Sequence, residues 1–308
     1  MFISTGLRRT VALLALLLAA GTLAPCSAAE LTGTLKKIKE TGALTIGYRE
    51  SSVPFSYLDD NQKPIGYAVD ICARVADAIR RTLQLDQMEI KLVAVTSATR
   101  IPLMANGTID LECGSTTNNA EREKQVAFTN SHFLTASRFV SKKASKINTI
   151  DDLKGKTVVS TSGTTNIRQL TEVNGQRNLG INIVPAKDHA EAFLMVETDR
   201  AAAFAMDDIL LAGLIANARQ PDAYVISSDA FSRAEPYGIM LRKDDPDFKK
   251  VVDAATAALY ESPDGQKVYD KWFNAPIPPK GINLKVPMSA QLKKAFAVPS
   301  DSPDPASY

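Results

Sequence analysis

Apolar and polar positions alternate with two different periods along the first part of the chain. Residues 44–49 ("LTIGYR") alternate as a strand does, and residues 67–83 place apolar side chains at helical spacing. Residues 90–95 and 108–114 predict two more strands, with a short helix at residues 98–106 between them. The order strand, helix, strand, helix, strand predicts a parallel sheet that is flanked by helices.

The same order of elements begins again near residue 152. The predicted strands of this second part lie at residues 156–160, 181–186, 201–206 and 223–227. The predicted helices lie at residues 163–173, 188–198 and 207–217. After these elements the pattern predicts one further strand at residues 237–242 and two helices at residues 246–260 and 264–273.

Two strand-like crossings, near residues 137–143 and 228–235, connect the two parts. We therefore predict an α/β fold of two lobes, each a mostly parallel sheet flanked by helices, with the second lobe inserted into the first. The expected divisions are a signal peptide (1–29), the first part of lobe 1 (30–137), lobe 2 with the crossings at its ends (138–232), the second part of lobe 1 (233–275) and a C-terminal wrap and tail (276–308). We expect the last residues of the tail to be disordered.

Residues 1–29 have the pattern of a cleavable signal peptide. Arg8 and Arg9 precede the apolar run "VALLALLLAA", and the small residues of "CSAAE" follow it. This run is too short to cross a bilayer, so an N-terminal membrane anchor is the weaker alternative. We expect cleavage after Ala29 and export to the periplasm.

Composition and charge exclude several classes of protein. The chain is 45% hydrophobic and 23% charged, which is typical of a globular protein. Lys and Arg number 36 against 34 Asp and Glu, and loss of Arg8 and Arg9 with the signal peptide would leave 34 of each. A chain this close to neutral has no basic field for nucleic acid, so we expect no nucleic-acid partner.

Removal of the signal peptide would also remove Cys26 and leave Cys72 and Cys113. An oxidising compartment permits a disulfide between these two. Cys72, however, shares helical spacing with Val75 and Ile79, so we favour a buried free thiol and leave the disulfide open. Two cysteines without a histidine cluster predict no metal site, and we expect no cofactor.

Hydrogen-bonding and charged side chains gather where the predicted strands end, which is where α/β proteins bind small molecules. The candidate binding residues at these ends are Arg49, Ser97, Arg100, Ser115, Thr117, Arg122, Thr165, His189 and Asp207. Each alone has an ordinary structural interpretation as a helix cap or a solvated charge. Together, three arginines, a histidine and an aspartate suit a ligand with two anionic groups and one cation, which is the inventory of an acidic amino acid.

The segments "RESSVPFSY", "NGTIDLECGSTTNNAERE", "SGTT", "AKDHAEAF" and "MDDILLAG" together closely resemble the extracellular solute-binding proteins, family 3, that serve bacterial ABC transporters by binding glutamate and aspartate. The resemblance runs from about Leu31 to about residue 284. It implies a type II periplasmic-binding fold, in which ligand lies between two lobes joined by two hinge strands. We expect L-glutamate or L-aspartate as ligand, a membrane permease as partner, and a monomer.

The resemblance also implies a role for each candidate residue. Arg122 matches the arginine that holds the α-carboxylate, with further bonds from Thr117 and Thr165. Asp207 matches the group that takes the α-ammonium, with help from Ser115. The side-chain carboxylate would be held by Arg49, Ser97, Arg100 and His189.

Two other functions compete with a binding protein. The same fold hosts dehydratases of small carboxylic acids, so an acid in the cleft could do acid–base chemistry. The sequence has no apparent Ser–His–Asp set, and its charged groups are accounted for by an oppositely charged ligand. A sensor domain would need an attached output or membrane segment, which we do not expect. We therefore expect no enzymatic activity.

Overall fold

Two five-stranded sheets organise the chain in the computed structural model, which describes Phe2 and residues 30–308. Apart from Phe2, the predicted signal peptide with its cleavage site lies outside the described residues. Residues 32–308 form one compact unit. Among the residues described, no helix is long and apolar enough to cross a membrane.

Nine α-helices lie among residues 30–308. They are α1 (Gly33–Thr41), α2 (Tyr67–Thr82), α3 (Arg100–Ala105), α4 (Thr165–Arg177), α5 (His189–Glu197), α6 (Asp208–Asn217), α7 (Pro246–Tyr260), α8 (Pro263–Phe273) and α9 (Ala290–Ala297). The helices predicted from the hydrophobic period all occur, with ends that differ by a few residues. Two helices, α1 and α9, were not predicted; α1 is short, and α9 lies in the segment that we expected to be irregular.

Fifteen strands lie among the same residues. They are β1 (Ala43–Tyr48), β2 (Ser51–Ser52), β3 (Ser56–Leu58), β4 (Pro64–Ile65), β5 (Glu89–Ala94), β6 (Leu111–Cys113), β7 (Val126–Phe128), β8 (Phe133–Thr135), β9 (Ser137–Lys142), β10 (Thr157–Thr161), β11 (Asn182–Ala186), β12 (Ala203–Asp207), β13 (Tyr224–Ile226), β14 (Glu235–Tyr237) and β15 (Met240–Arg242). The short strands β2, β3 and β4 form a small separate sheet.

The first large sheet has the order β5-β1-β6-β15-β7. Strand β1 pairs in parallel with β5 and β6, for example with Ile46 opposite Leu111. Strand β15 arrives from late in the chain and pairs antiparallel with β6 and β7. We call this sheet, the helices α1, α2 and α3 that pack on it, and the helices α7 and α8 that pack on α2 the first lobe. The carboxyl ends of β1, β5 and β6 therefore meet at one edge of the first lobe.

The second large sheet repeats this arrangement with the order β11-β10-β12-β9-β13. Strand β10 pairs in parallel with β11 and β12, and β9 pairs antiparallel with β12 and β13. Helices α4, α5 and α6 pack on this sheet, and together they form the second lobe. Strand β15 is fourth in the first sheet, and β9 is fourth in the second. Along the chain, β15 follows β14 and β9 follows β8, and these two preceding strands form a third, two-stranded sheet.

This two-stranded sheet is where the chain passes between the lobes. Strands β8 and β14 pair antiparallel, with Glu235 opposite Thr135 and Tyr237 opposite Phe133. We had expected the first crossing at residues 137–143, but those residues form β9 inside the second sheet. Phe139 of this strand is completely buried in the core of the second lobe. The backbone of the strand pairs with β12 and β13, which an isolated crossing strand would not do.

An aromatic cluster fills the first lobe where the crossing strands enter it. The ring of Phe55 lies 5.0–6.0 Å from the rings of Tyr67, Phe133, Tyr237 and Phe273, in edge-to-face arrangements. Such pairs add to the stabilisation that burial of the rings already gives. Because Phe133 belongs to β8 and Tyr237 to β14, the crossing strands are fixed to the core of the first lobe.

The C-terminal tail is ordered, contrary to our expectation. After α9 the chain ends in a 3-10 turn, and the hydroxyl of Tyr308 lies 2.7 Å from Ser131 Oγ and donates to Ser302 O. Helix α9 itself packs by stacking Phe296 on Tyr260 of α7, at 4.5 Å between ring centroids. The proline-rich composition suggested disorder, but the hydrogen bonds of Tyr308 and the ring stacking of Phe296 hold the segment on the first lobe.

Cys72 and Cys113 form a disulfide, with 6.2 Å between their Cα atoms. Our preference for a free buried thiol at Cys72 was wrong, although Cys72 is fully buried as the helical period indicated. The spacing along α2 shows which way Cys72 points but cannot show that the end of β6 lies opposite it. The bond ties α2 to the strand whose next residues are the polar segment 115–117.

We expect removal of this disulfide to lower the free energy of unfolding by about 3–4 kcal/mol. The cross-link closes a loop of 41 residues in the unfolded chain, and this constraint is the main source of its stabilisation. The measurement is urea unfolding of the oxidised protein, of the reduced protein and of the Cys72→Ala, Cys113→Ala double variant. Equal unfolding midpoints for the oxidised and reduced protein would contradict the expectation.

Candidate functional site

A cavity between the two lobes is lined by side chains from the ends of strands in both sheets. The lining residues are Ser97, Arg100, Ser115, Thr117, Arg122, Thr164, Thr165, Asn166, His189, Met206, Asp207 and Leu210. Eight of the nine candidates selected from the sequence belong to this lining, and Arg49 contacts two of them. The structure therefore brings the candidates together at one place.

Arg49 follows β1 and is 2% exposed. Its Nη2 donates to Ser97 Oγ at 2.8 Å and lies 3.5 Å from His189 Nε2 of the second lobe. Its Nη1 is buried and has no hydrogen-bond partner among the described residues. A buried guanidinium donor without an acceptor favours an anionic group nearby.

Arg100 is the first residue of α3 and is also buried. Its Nη1 donates to Thr116 Oγ1 at 2.6 Å and to Ser115 O at 3.3 Å, whereas its Nε has no described partner. Thr116 Oγ1 in turn donates to Glu112 Oε2 at 2.5 Å. The backbone and hydroxyl bonds hold the guanidinium at the end of β6.

Arg122 begins the 3-10 turn at residues 122–124 and reaches across the cleft. Its Nη1 donates to Thr117 O at 2.7 Å within the first lobe. Its Nη2 donates to Gly163 O of the second lobe at 3.2 Å. The same guanidinium therefore contacts both lobes.

The second lobe contributes helix N-termini. Thr165 is the first residue of α4, and Thr164 caps this helix by accepting a bond from the Ile167 amide at 3.3 Å. His189 is the first residue of α5, and its Nδ1 lies 2.9 Å from Thr161 Oγ1. Because the N-terminus of a helix carries partial positive charge, both positions favour an anion in the cavity.

Asp207 ends β12 and is the acidic group on the cavity wall. Its Oδ1 accepts from Asn166 Nδ2 at 2.8 Å. Its Oδ2 accepts a short hydrogen bond from the hydroxyl of Tyr237, which belongs to crossing strand β14. Asp207 is 3% exposed, and these two hydrogen bonds fix its carboxylate in position.

Burial shifts the pKa values of Arg49, Arg122, Asp207 and His189. It lowers the pKa of Arg49 to about 10 and that of Arg122 to about 9, with the charge of Arg100 as the second cause in both. The pKa of Asp207 rises to about 6, through burial first and then the charge of Glu235. The pKa of His189 falls well below its usual range through burial and the charge of Arg49.

All of these pKa shifts disfavour the charged form of the group concerned. The buried site disfavours charge on its arginines and on its aspartate, so a ligand with complementary charges restores what burial has cost. His189 is neutral at pH 7 and can donate or accept one hydrogen bond. The arrangement can therefore bind anionic groups beside Arg49, Arg100 and Arg122 and a cationic group beside Asp207.

Several residues at or near the cavity are not among the candidate binding residues. They are Glu112, Thr116, Thr164, Asn166, Met206, Leu210 and Tyr237. Glu112 was visible as a polar residue within a strand of apolar ones, which is a signal for a buried charge. Tyr237 gave no signal, because it reaches Asp207 from a crossing strand 30 residues further along the chain.

The family model described as bacterial extracellular solute-binding proteins, family 3, matches residues 44–275. An "L-glutamate/L-aspartate-binding protein" of Pseudomonas aeruginosa is 53% identical over 279 residues, which cover 90% of this chain and 92% of that protein. A "Glutamate/aspartate import solute-binding protein" of Escherichia coli (strain K12) is 45% identical over 291 residues, which cover 94% of this chain and 96% of that one.

Solved structures match the fold as a whole. A mutant of ArgBP from T. maritima has a TM-score of 0.69 and 29% identity, and the match covers 79% of this chain and 100% of that chain. A histidine-bound substrate-binding protein of an ABC uptake transporter from Streptococcus pneumoniae has a TM-score of 0.70 at 22% identity, covering 77% of this chain and 95% of that one. The two lobes and their strand orders are those of the type II periplasmic-binding fold, so the predicted fold class is confirmed.

Proposed function

The chain belongs to the bacterial extracellular solute-binding proteins, family 3, and from this membership we propose that it binds L-glutamate and L-aspartate for an ABC importer. The named relatives bind glutamate and aspartate or import them, at 53% and 45% identity over at least 90% of this chain. Those relatives are solute-binding proteins, so the dehydratase-like alternative has no support and the chain functions as a binding protein, not as an enzyme.

One observation in the structure carries the choice of ligand. Buried Arg100, Arg122 and Asp207 line one cavity between the lobes, and buried Arg49 contacts Ser97 and His189 of the same lining. An acidic amino acid brings two carboxylates for the arginines and one ammonium for the aspartate. A neutral amino acid brings one carboxylate fewer and leaves guanidinium groups such as Arg49 Nη1 without an anionic partner.

The position of each group supports a division of the site. We assign Arg122, Thr117 and Thr165 to the α-carboxylate, and Arg122 bonds to both lobes. Asp207 takes the α-ammonium, assisted by Ser115, whose buried hydroxyl has no described partner. The groups for the side-chain carboxylate are Arg49, Ser97, Arg100 and His189.

Binding proceeds by closure of the lobes on the ligand. Ligand first meets the arginines of the first lobe, and the second lobe then brings His189, Thr165 and Asp207. Ligand favours the closed form by as much as it binds that form more tightly. Away from the cavity, helix α6 of the second lobe packs Gly213 against the backbone of Val53, and Asn217 O of the same helix accepts from Lys280 Nζ at 2.7 Å.

The protein acts in the periplasm after cleavage behind Ala29, as a monomer, and delivers its ligand to the membrane permease of the importer. It uses no cofactor and binds no nucleic acid. The N-terminal pattern, the neutral charge and the extracellular character of the family support these statements.

We expect glutamate and aspartate to bind several hundred-fold or more tightly than glutamine. Replacing the side-chain carboxylate by an amide leaves buried positive charge unpaired, which costs about 3–5 kcal/mol. Titration calorimetry of the purified protein with each amino acid measures the difference. Equal affinities for glutamate and glutamine would refute the proposed ligand.

Arg122→Ala and Arg100→Ala should differ in which ligands they affect. Arg122 serves the α-carboxylate, so its loss should abolish binding of every amino acid. Arg100 serves the side chain, so its loss should narrow the ratio of glutamate to glutamine affinity by roughly tenfold or more, because the amide's hydrogen bonds are not charge-assisted. Titrations of both variants, with thermal melts as the control for folding, test this division. A loss for glutamate and glutamine by the same factor in Arg100→Ala would contradict it.

Gly213→Ala should weaken ligand binding without touching the ligand. A Cβ at this position would lie 2.6 Å from Val53 O, so the second lobe could not close fully. The matched control is Gly175→Ala in α4, where a Cβ would meet nothing within 4 Å. We expect at least a roughly tenfold weaker affinity for glutamate in the first variant and no change in the second. X-ray scattering at saturating glutamate should show a larger radius of gyration for Gly213→Ala, and equal radii would argue against this role.

A further inference from the structure

Glu112 is a buried carboxylate that none of the ligand contacts proposed above uses. It lies in the middle of β6, between Gly47 of β1 and Met240 of β15, and is 0% exposed. Its Oε2 accepts from Thr116 Oγ1 at 2.5 Å. Its Oε1 has no hydrogen-bond partner among the described residues. Burial of a carboxylate is costly, so a function is expected for it.

The carboxylate lies beside two of the site's arginines. Thr116 Oγ1, which donates to Glu112, accepts from Arg100 Nη1 at 2.6 Å, so one hydroxyl joins the two charged groups. A Cβ at Gly114 would lie 2.4 Å from Glu112 Oε1 and 2.9 Å from Arg49 Cγ, so both side chains crowd the same glycine. Glu112 therefore acts on the charge of the site from behind the cavity wall.

The buried charges of the site nearly cancel. Arg49, Arg100 and Arg122 contribute three positive charges, and Glu112 and Asp207 two negative ones, while His189 is neutral. These buried groups thus sum to one positive charge; Glu235, whose charge also acts on Asp207, is partly exposed and is screened by solvent. Glutamate and aspartate carry one net negative charge, so the closed, occupied site is neutral overall; a neutral amino acid leaves one positive charge, and a dicarboxylate without an ammonium leaves one negative charge.

We propose that Glu112 is a specificity-determining residue that sets the net charge of the buried site and thereby matches it to a ligand with one net negative charge. Closure removes water from the site, and a net charge left behind there is costly. Without the charge of Glu112 the site would hold two positive charges. Each additional negative charge on a ligand would then raise its affinity relative to less negative ligands. This inference rests on the proposed function and extends it to a residue that need not contact the ligand.

Glu112→Gln tests the proposal, because the amide keeps the shape and can still accept from Thr116 while its negative charge is lost. The matched control is Glu112→Asp, which keeps the charge. Calorimetric competition against glutamate gives the relative affinities of glutamate, glutamine and glutarate, the last of which lacks the ammonium. In Glu112→Gln we expect the preference for glutamate over glutamine to widen by roughly tenfold, and glutarate to gain on glutamate by a similar factor, as one charge in a partly screened site requires. Glu112→Asp should keep the wild-type ratios.

The outcomes separate this inference from the proposed function. Failure of the wild-type protein to bind glutamate would remove the function itself. Wild-type binding with unchanged ratios in Glu112→Gln, or with the same change in Glu112→Asp, would overturn the role of charge. Should Glu112→Gln fail to fold in a thermal melt, the Glu112→Gln, Arg100→Ala double variant replaces it, because its site again holds one positive charge. The double variant should recover part of the preference for glutamate over glutamine that Arg100→Ala loses. If it recovers none of this preference, the proposal is overturned as well.

Discussion

Three guanidinium groups buried around one cavity are the constraint on which the rest of this site depends. Arg49, Arg100 and Arg122 are each at most 7% exposed, so they are largely shielded from bulk water. Fixed charges in such surroundings persist only where hydrogen bonds and countercharges compensate for lost hydration. Carbonyl and hydroxyl oxygens at the ends of β6 and β10 supply part of this compensation. The carboxylates of Glu112 and Asp207 supply another part, and in the proposed complex the ligand supplies the remainder.

The same constraint explains why the two lobes are coupled through their connection. Tyr237 lies on a crossing strand, packs its ring against Phe55 in the core of the first lobe and donates its hydroxyl to Asp207 of the second. Any movement of the lobes would therefore change the surroundings of Asp207, the acidic group among the described residues of the cavity wall. The disulfide from α2 to Cys113 fixes the other side, since it anchors the strand that leads into the polar segment 115–117.

Much of the fold followed from local pattern, and the exceptions are instructive. The period of apolar positions indicated helices such as α2 and strands such as β1, because a helix or strand face is defined by residues a few positions apart. The crossing was misplaced because Ser137–Lys142 looks the same as a sheet strand and as a connecting one, and only its partners β12 and β13 decide which it is. Helix α9 was missed because its reason for being ordered is the contact of Phe296 with Tyr260, far away in sequence.

The sequence by itself determined which chemical groups stand at the ends of the strands: arginines, hydroxyls, a histidine and an aspartate, each placed by the local period of its own strand and helix. The tertiary structure alone decided which of these groups meet. Arg49 and His189 are 140 residues apart and Arg122 and Gly163 are 41 apart, yet both pairs are in contact across the cleft. It also decided that Glu112 faces inward, beside the arginines and not toward solvent. The physical reason is that burial and charge pairing depend on distances in space, which the packing of two sheets sets and the local spacing of residues does not.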